Sequence, residues 1–181
     1  FYKILKMKIG LFFGSFNPMH IGHKIIASYM VEFSNLDKVM FVVSPQNPLK
    51  QKNSLLDQYH RLQIIRAEEE DNPKLSVSDI EFSMPQPSYT IDTLVRLKEE
   101  NPENDYALIM GSDNLQNFHK WKNYEQILEN YSIYVYPRPG IEIEGTHKKI
   151  HIIDGVPQME ISSSFIRKSI KEGKDISYLM P

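Results

Sequence analysis

Cysteine is absent from this chain. That absence removes disulfides, thiolate zinc sites and cysteine nucleophiles together, and it fits a reducing, cytoplasmic setting. Long hydrophobic runs are missing too. No stretch approaches the roughly 18 apolar residues of a membrane span, and the first residues lack the layout of a signal peptide. Neither sign of charge dominates: a formal net charge of −2 gives no global attraction for a nucleic-acid backbone, so small anions suit the chain better than polymers. Tryptophan occurs only at Trp121. No fixed-period repeat or low-complexity tract breaks the sequence.

What is present is enough apolar material for one core. With 181 residues, 41% of them hydrophobic, the chain reads as a single domain. Residues 1–7 read as an N-terminal extension and residues 8–181 as the domain, its C-terminal end shortened because Pro181 follows no recognisable closing element. Apolar runs of strand length alternate with segments of helical period. Strands are expected at 8–13, 39–43, 75–77, 106–110, 132–136 and 149–153. Helices are expected at 20–33, 55–69, 91–99, near 124–128, and at 163–172. Such alternation predicts an α/β fold: a single Rossmann-like, doubly wound domain with a mostly parallel sheet and helices on both faces. Ligands in that architecture sit at the carboxyl ends of the strands.

The stretch FFGSFNPMHIGH falls at the end of the first expected strand. Neither GxxxxGK[ST] nor GxGxxG occurs, so the two commonest phosphate loops are excluded. Gly14 permits a sharp turn after the strand, and Pro18 stiffens the approach to a helix. The free N–H groups and dipole of that helix favour an anion. His20 and His23, three apart, are expected on one helical face, with Gly22 removing a side chain so that a bulky ligand can reach the backbone. A structural role for one histidine and a metal role for the pair remain alternatives. Zinc, however, needs three or four protein ligands and no further ligand pattern is evident. No metal-ligating residues are therefore assigned, and phosphate binding is the better reading.

The segments Gly14-Ser15-Phe16-Asn17-Pro18-Met19-His20-Ile21-Gly22-His23 and Ile161-Ser162-Ser163-Ser164-Phe165-Ile166-Arg167 resemble the two signatures of the HxGH nucleotidyltransferase superfamily. PSYTIDTL (87–94) and GSDNLQNFHKW (111–121) resemble the bacterial nicotinate-nucleotide adenylyltransferases of NAD synthesis. The resemblance runs from Lys8 to Pro181. It implies adenylyl transfer from ATP to nicotinate mononucleotide, giving nicotinate adenine dinucleotide and pyrophosphate, with Mg²⁺ accompanying ATP. The attacking group is then a phosphate monoester whose second pKa lies near 6, so no general base is required. The work is positioning and charge neutralisation.

By the same resemblance His20, His23 and Arg167 are the catalytic candidates. Gly14, Ser15, Phe16, Gly22, Lys50, Ser162, Ser163 and Ser164 are candidates for ATP and its phosphates. Tyr89, Thr90, Gly111, Asp113 and Trp121 are candidates for the nicotinate nucleotide, with Trp121 stacking on the pyridine ring and backbone donors near Thr90 and after Trp121 receiving its carboxylate. Arg138 and Asp92 are weaker candidates. The chain departs from the family at Phe13, where a glycine is usual, and at Ser164, where threonine is common. Two other readings are a phosphopantetheine adenylyltransferase, against which Trp121 and SYTIDT count, and a non-catalytic nucleotide sensor. A homo-oligomer is left open; a nucleic-acid polymer or a membrane is not expected as partner.

Overall fold

Apolar runs bounded by turn residues become parallel strands here. The computed structural model describes residues 6–45, 55–69, 72–143, 145 and 147–181. Its strands are β1 (Lys8–Gly14), β2 (Lys38–Val43), β3 (Leu75–Ser78), β4 (Asp105–Gly111), β5 (Ser132–Tyr136) and β6 (Ile150–Ile152). They form one sheet in the order β3-β2-β1-β4-β5-β6, every neighbouring pair parallel. Between and after them come α1 (Ile21–Phe33), α2 (Gln58–Glu69), α3 (Thr90–Glu100), α4 (Ser112–Gln116), α5 (Tyr124–Asn130) and α6 (Ser163–Lys171).

Successive strand residues point to opposite faces, and both faces are covered. Phe12, Phe41, Ile109 and Tyr134 share one core with Ala27 and Met30 of α1 and Leu62 and Ile65 of α2. Leu11, Val42, Leu108 and Ile133 share the other with Ile91, Leu94 and Leu97 of α3 and Ile127 of α5. Strands buried on both sides have no polar face to alternate with, which is why they read as unbroken apolar runs. The fold is therefore the doubly wound one expected. Strand order reverses between β1 and β4, and the crevice that opens there lies beyond Gly14 and Gly111.

Three helix starts differ from the sequence reading, α3 beginning at Thr90, one residue earlier than expected. Helix α1 begins at Ile21, with His20 as an N-cap in extended backbone (φ −142°, ψ 168°). Helix α2 begins at Gln58 rather than Leu55. The three residues before it are drawn away from the helix: the Leu56 N–H donates to Asn17 Oδ1 at 3.0 Å, and the Leu56 carbonyl accepts from Arg61 Nε at 2.9 Å. Helix α4 and the 3₁₀ turns Ile80–Ser83, Phe118–Lys120 and Ser177–Leu179 were not expected. Each is too short for a periodic pattern to register.

Two glycines of β1 test the packing. A Cβ at Gly10 would lie 2.7 Å from the Cδ1 atoms of Ile109 and Leu36, tips that can rotate aside. At Gly14 it would lie 2.8 Å from Cζ of the Phe16 ring, which is almost wholly buried and has nowhere to move. Gly14→Ala should cost about 1–3 kcal/mol in urea unfolding, and Gly10→Ala distinctly less. Equal losses would show that the Phe16 ring is not fixed as described.

Candidate active site

Beyond the carboxyl ends of β1 and β5 lies a cavity of ≈530 Å³, lined by Ser15, Asn17, His20, Gly22, His23, Tyr136, Arg138, Gln158, Met159, Ile161, Ser162, Ser163, Ser164 and Arg167 among others. Eight sequence candidates thus meet on one surface: Ser15, His20, Gly22, His23, the three serines of 162–164 and Arg167. Arg138 joins them.

The histidines meet differently from the expected helical spacing. His20 stands just outside α1 and His23 occupies its third position, so the pair bridges the helix cap. The His20 N–H donates to His23 Nδ1 at 3.2 Å, and the rings stack with centroids 3.7 Å apart. An accepting Nδ1 places the proton of a neutral His23 on Nε2, giving it a defined donor. His20 is buried, and its Nδ1 has no hydrogen-bond partner among the described residues. Burial, followed by the charge of Arg138, lowers the His20 pKa from 6.5 to about 4. At neutral pH it is an uncharged imidazole with an unused polar atom at the cavity wall.

Gly22 lines the cavity, and its missing side chain also leaves room for two protein neighbours. A Cβ there would meet Ile161 Cγ2 at 2.8 Å and His20 Nδ1 at 3.1 Å. Phe16 is not part of the lining. Its backbone turns through φ 43°, and its ring packs edge-on against His23 (5.1 Å), Phe41 (5.5 Å) and Phe12 (6.0 Å), supporting the histidine from behind. Gly14 gives that ring its room. Lys50 lies outside the described residues.

The start of α6 is tied to the turn after β1. Ser162 caps the helix, its Oγ accepting the Phe165 N–H at 3.1 Å. Ser163 Oγ donates to the Pro18 carbonyl at 2.8 Å, Arg167 Nη1 to the Asn17 carbonyl at 2.7 Å, and Arg167 Nη2 to Ser164 Oγ at 3.3 Å. Arg167 therefore braces the turn as well as facing the cavity.

Arg61, which the sequence reading passed over, holds the turn from the other side. Its guanidinium is fully buried and donates to four backbone carbonyls: Ser15 (2.5 Å), Ser44 (2.9 Å), Pro45 (3.1 Å) and Leu56 (2.9 Å). Burial lowers its pKa, opposed by Asp57, but a guanidinium stays charged in proteins. One cation thus joins the ends of β1 and β2 to the approach to α2. Only its position in the fold reveals this role.

The candidates for the base end lie apart from the cavity lining. Gly111 caps α4, and Asp113 in the first turn of that helix pairs with Arg138 (Nε to Oδ1, 3.6 Å), which links it to the cavity. Tyr89 caps α3 with no side-chain bond, and Thr90 opens the helix. Lys122 sits 4.6 Å over the Tyr89 ring and 2.9 Å from Asp92, so the segment carrying Trp121 is joined to the start of α3. Trp121 itself packs edge-on against Phe118 at 5.5 Å.

A family model described as cytidylyltransferase-like matches residues 11–169. A probable nicotinate-nucleotide adenylyltransferase of Flavobacterium johnsoniae is 57% identical over 179 residues, covering 97% of this chain and 92% of the relative. One of Cytophaga hutchinsonii is 50% identical, with 96% and 91% covered. Among solved structures, a putative nicotinate-nucleotide adenylyltransferase from Vibrio parahaemolyticus superposes with a TM-score of 0.73 at 25% identity, over 97% of this chain and 94% of the other. The Plasmodium falciparum nicotinic acid mononucleotide adenylyltransferase in complex with NaAD superposes at 0.78 and 22% identity, over 94% and 87%. That last likeness concerns the fold.

Two expectations follow from the cavity wall. With a folded pKa about 4 against 6.5 for a free imidazole, His20 is neutral in both states above pH 6.5. Below it the unfolded chain takes up a proton that the folded chain refuses, so stability falls as the pH drops from 6.5 through 4. This contribution is on the order of 2–3 kcal/mol. Urea midpoints between pH 7 and 4 should fall less steeply in His20→Asn than in the parent; parallel slopes would refute the assignment. Arg61→Met leaves four inward carbonyls without donors, and should lower unfolding free energy by about 3–5 kcal/mol. A loss below about 1 kcal/mol would show that the carbonyls find other partners.

Proposed function

The chain belongs to the cytidylyltransferase-like family and, within it, to the nicotinate-nucleotide adenylyltransferases, and from that premise we propose that it transfers the adenylyl group of ATP to nicotinate mononucleotide for NAD synthesis. The observation that carries the reading is the stacked His20–His23 pair, set at the cap of α1 and facing the capped start of α6 across one cavity.

The residues then divide as follows. An oxygen of the nicotinate mononucleotide phosphate attacks the α-phosphorus of ATP. The new P–O bond forms as the bond to the β-phosphate oxygen breaks, and pyrophosphate leaves with the electron pair. The attacking phosphate is already ionised at neutral pH, so no side chain has to remove a proton. Charge grows on the α-phosphate oxygens and on the departing pyrophosphate. His23 Nε2–H and the neutral His20 ring supply fixed donors for it, and Arg167 and the amides at the start of α6 supply positive potential. Ser15 and Gly22 line the same wall; Ser162, Ser163 and Ser164 fix the start of α6. Lys50 is retained as a phosphate contact. Gly111 and Asp113 stand toward the nucleotide through Arg138, while Tyr89, Thr90 and Trp121 receive the pyridine ring and its carboxylate.

Nucleotidyltransferases of this family use a divalent metal with ATP. No group of three or more His, Cys, Asp or Glu side chains comes together among the described residues. The ion we assign is Mg²⁺, which is bound largely through substrate phosphate oxygens and water. Its contribution is to neutralise phosphate charge. No described helix is long and apolar enough to cross a membrane, and the work is assigned to the cytoplasm, in one domain spanning residues 8–181.

Purified protein given ATP and Mg²⁺ should release pyrophosphate with nicotinate mononucleotide in strong preference to nicotinamide mononucleotide or phosphopantetheine. Preference for phosphopantetheine would overturn the substrate, and nucleotide binding without turnover would favour a sensor. His23→Ala should lower kcat by about 10²–10³, or roughly 2.7–4 kcal/mol, the scale for losing one preorganised donor. Unchanged turnover would remove His23 from the mechanism.

A further inference from the structure

Glu81 lies in the 3₁₀ turn Ile80–Ser83 and is buried, 3% exposed. Its carboxylate accepts Ser88 Oγ through Oε2 at 2.9 Å and Thr93 Oγ1 through Oε1 at 2.8 Å, and no described cation pairs with it. Those hydroxyls bracket the cap and first turn of α3. Between them stand Tyr89, whose carbonyl accepts the Asp92 and Thr93 N–H groups at 2.9 and 3.2 Å, and Thr90, the first helical residue. Gln86 Nε2 adds a bond to the Glu81 carbonyl at 2.9 Å, fastening the loop before the cap to the same turn.

A buried carboxylate without a cation is a costly way to fill space, since an apolar side chain of similar size would avoid the desolvation penalty. What the charge supplies is strong, directional bonds to two hydroxyls at once. They fix where α3 starts and how its first amides are aimed. Ser88 and Thr93 of the PSYTIDTL stretch are thereby explained: they face back to Glu81 rather than out to a ligand.

We propose that Glu81 is a positioning residue for the pyridine nucleotide, holding the Tyr89–Thr90 backbone in the orientation that receives the nicotinate carboxylate. The inference rests on the assignment of that carboxylate to the start of α3. The phosphate cavity shares none of these contacts, so a loosened α3 cap weakens one substrate and spares the other. Glu81→Gln keeps the shape but removes the charge; Ser88→Ala removes one of the two hydroxyls.

The test is steady-state kinetics of the whole chain, varying nicotinate mononucleotide at saturating ATP and then ATP at saturating nicotinate mononucleotide. Glu81→Gln should raise KM for nicotinate mononucleotide on the order of tenfold, with KM for ATP within about twofold and kcat little changed, the pattern of lost uniform binding. Ser88→Ala should shift the same constant by a smaller factor. A rise in both KM values together, or a lower melting temperature with neither KM moved, would make Glu81 structural and overturn the proposal. If Glu81→Gln does not fold, the same split in Ser88→Ala decides. A parent protein that does not turn over nicotinate mononucleotide would instead overturn the functional reading, and this proposal with it.

Discussion

A single buried cation sets the geometry on which the candidate site depends. The Arg61 guanidinium reaches Ser15 after β1, Ser44 and Pro45 after β2, and Leu56 before α2. Parallel strands end at the same edge of a sheet, and their loops carry carbonyls with no ladder to join. Gathering four of those carbonyls on one rigid fork satisfies them and compensates the charge, which a lysine with three rotating donors would do less well. The turn from Gly14 to Pro18 is then clamped twice, by Arg61 beneath and by Ser163 and Arg167 of α6 above. His20 and His23 follow that turn directly, so their positions are inherited from it.

The two groups of candidate residues, a phosphate end proposed for the phosphates and a base end proposed for the pyridine nucleotide, use different physics. At the phosphate end the donors are neutral or already engaged: His20 is kept uncharged by burial and Arg138, and Arg167 shares its fork with the Asn17 carbonyl. At the base end the groups are paired into small networks, Lys122 with Asp92 and Tyr89, and Asp113 with Arg138. Among the described residues, Arg138 links the two. It lowers the His20 pKa, lies against the Tyr136 ring at 5.2 Å, and reaches Asp113.

Most of the fold could be read from the sequence because strands covered on both faces announce themselves as apolar runs. Helices α1, α3 and α6 followed from periodicity, and the second signature correctly joined the first at one cavity. The failures share a cause. Arg61 and Glu81 are charged residues in segments where charge ordinarily means solvent, and only tertiary contacts bury them. Within the first signature Gly22 lines the cavity and also makes room for Ile161 and His20, while Phe16 stands behind the lining and supports His23. The start of α2 was misjudged because Leu55 and Leu56 extend the apolar pattern, while backbone bonds to Asn17 and Arg61 hold the chain out of the helix.

A neutral His20 suits the proposed chemistry better than a charged one would. A transfer between anions gains nothing from a donor that grips substrate, transition state and pyrophosphate equally, because uniform binding does not raise turnover. A fixed uncharged N–H interacts modestly with a resting phosphate, and more strongly as charge accumulates on the oxygen it faces. Burial keeps His20 in that form, and the His20 N–H bond to His23 Nδ1 keeps the partner's proton on Nε2. The cap of α1 thus determines the protonation of one ring and the tautomer of the other. That explains why the pair is built across a helix end, where a free backbone N–H remains available, rather than along a helical face, where both amides would be committed to the helix.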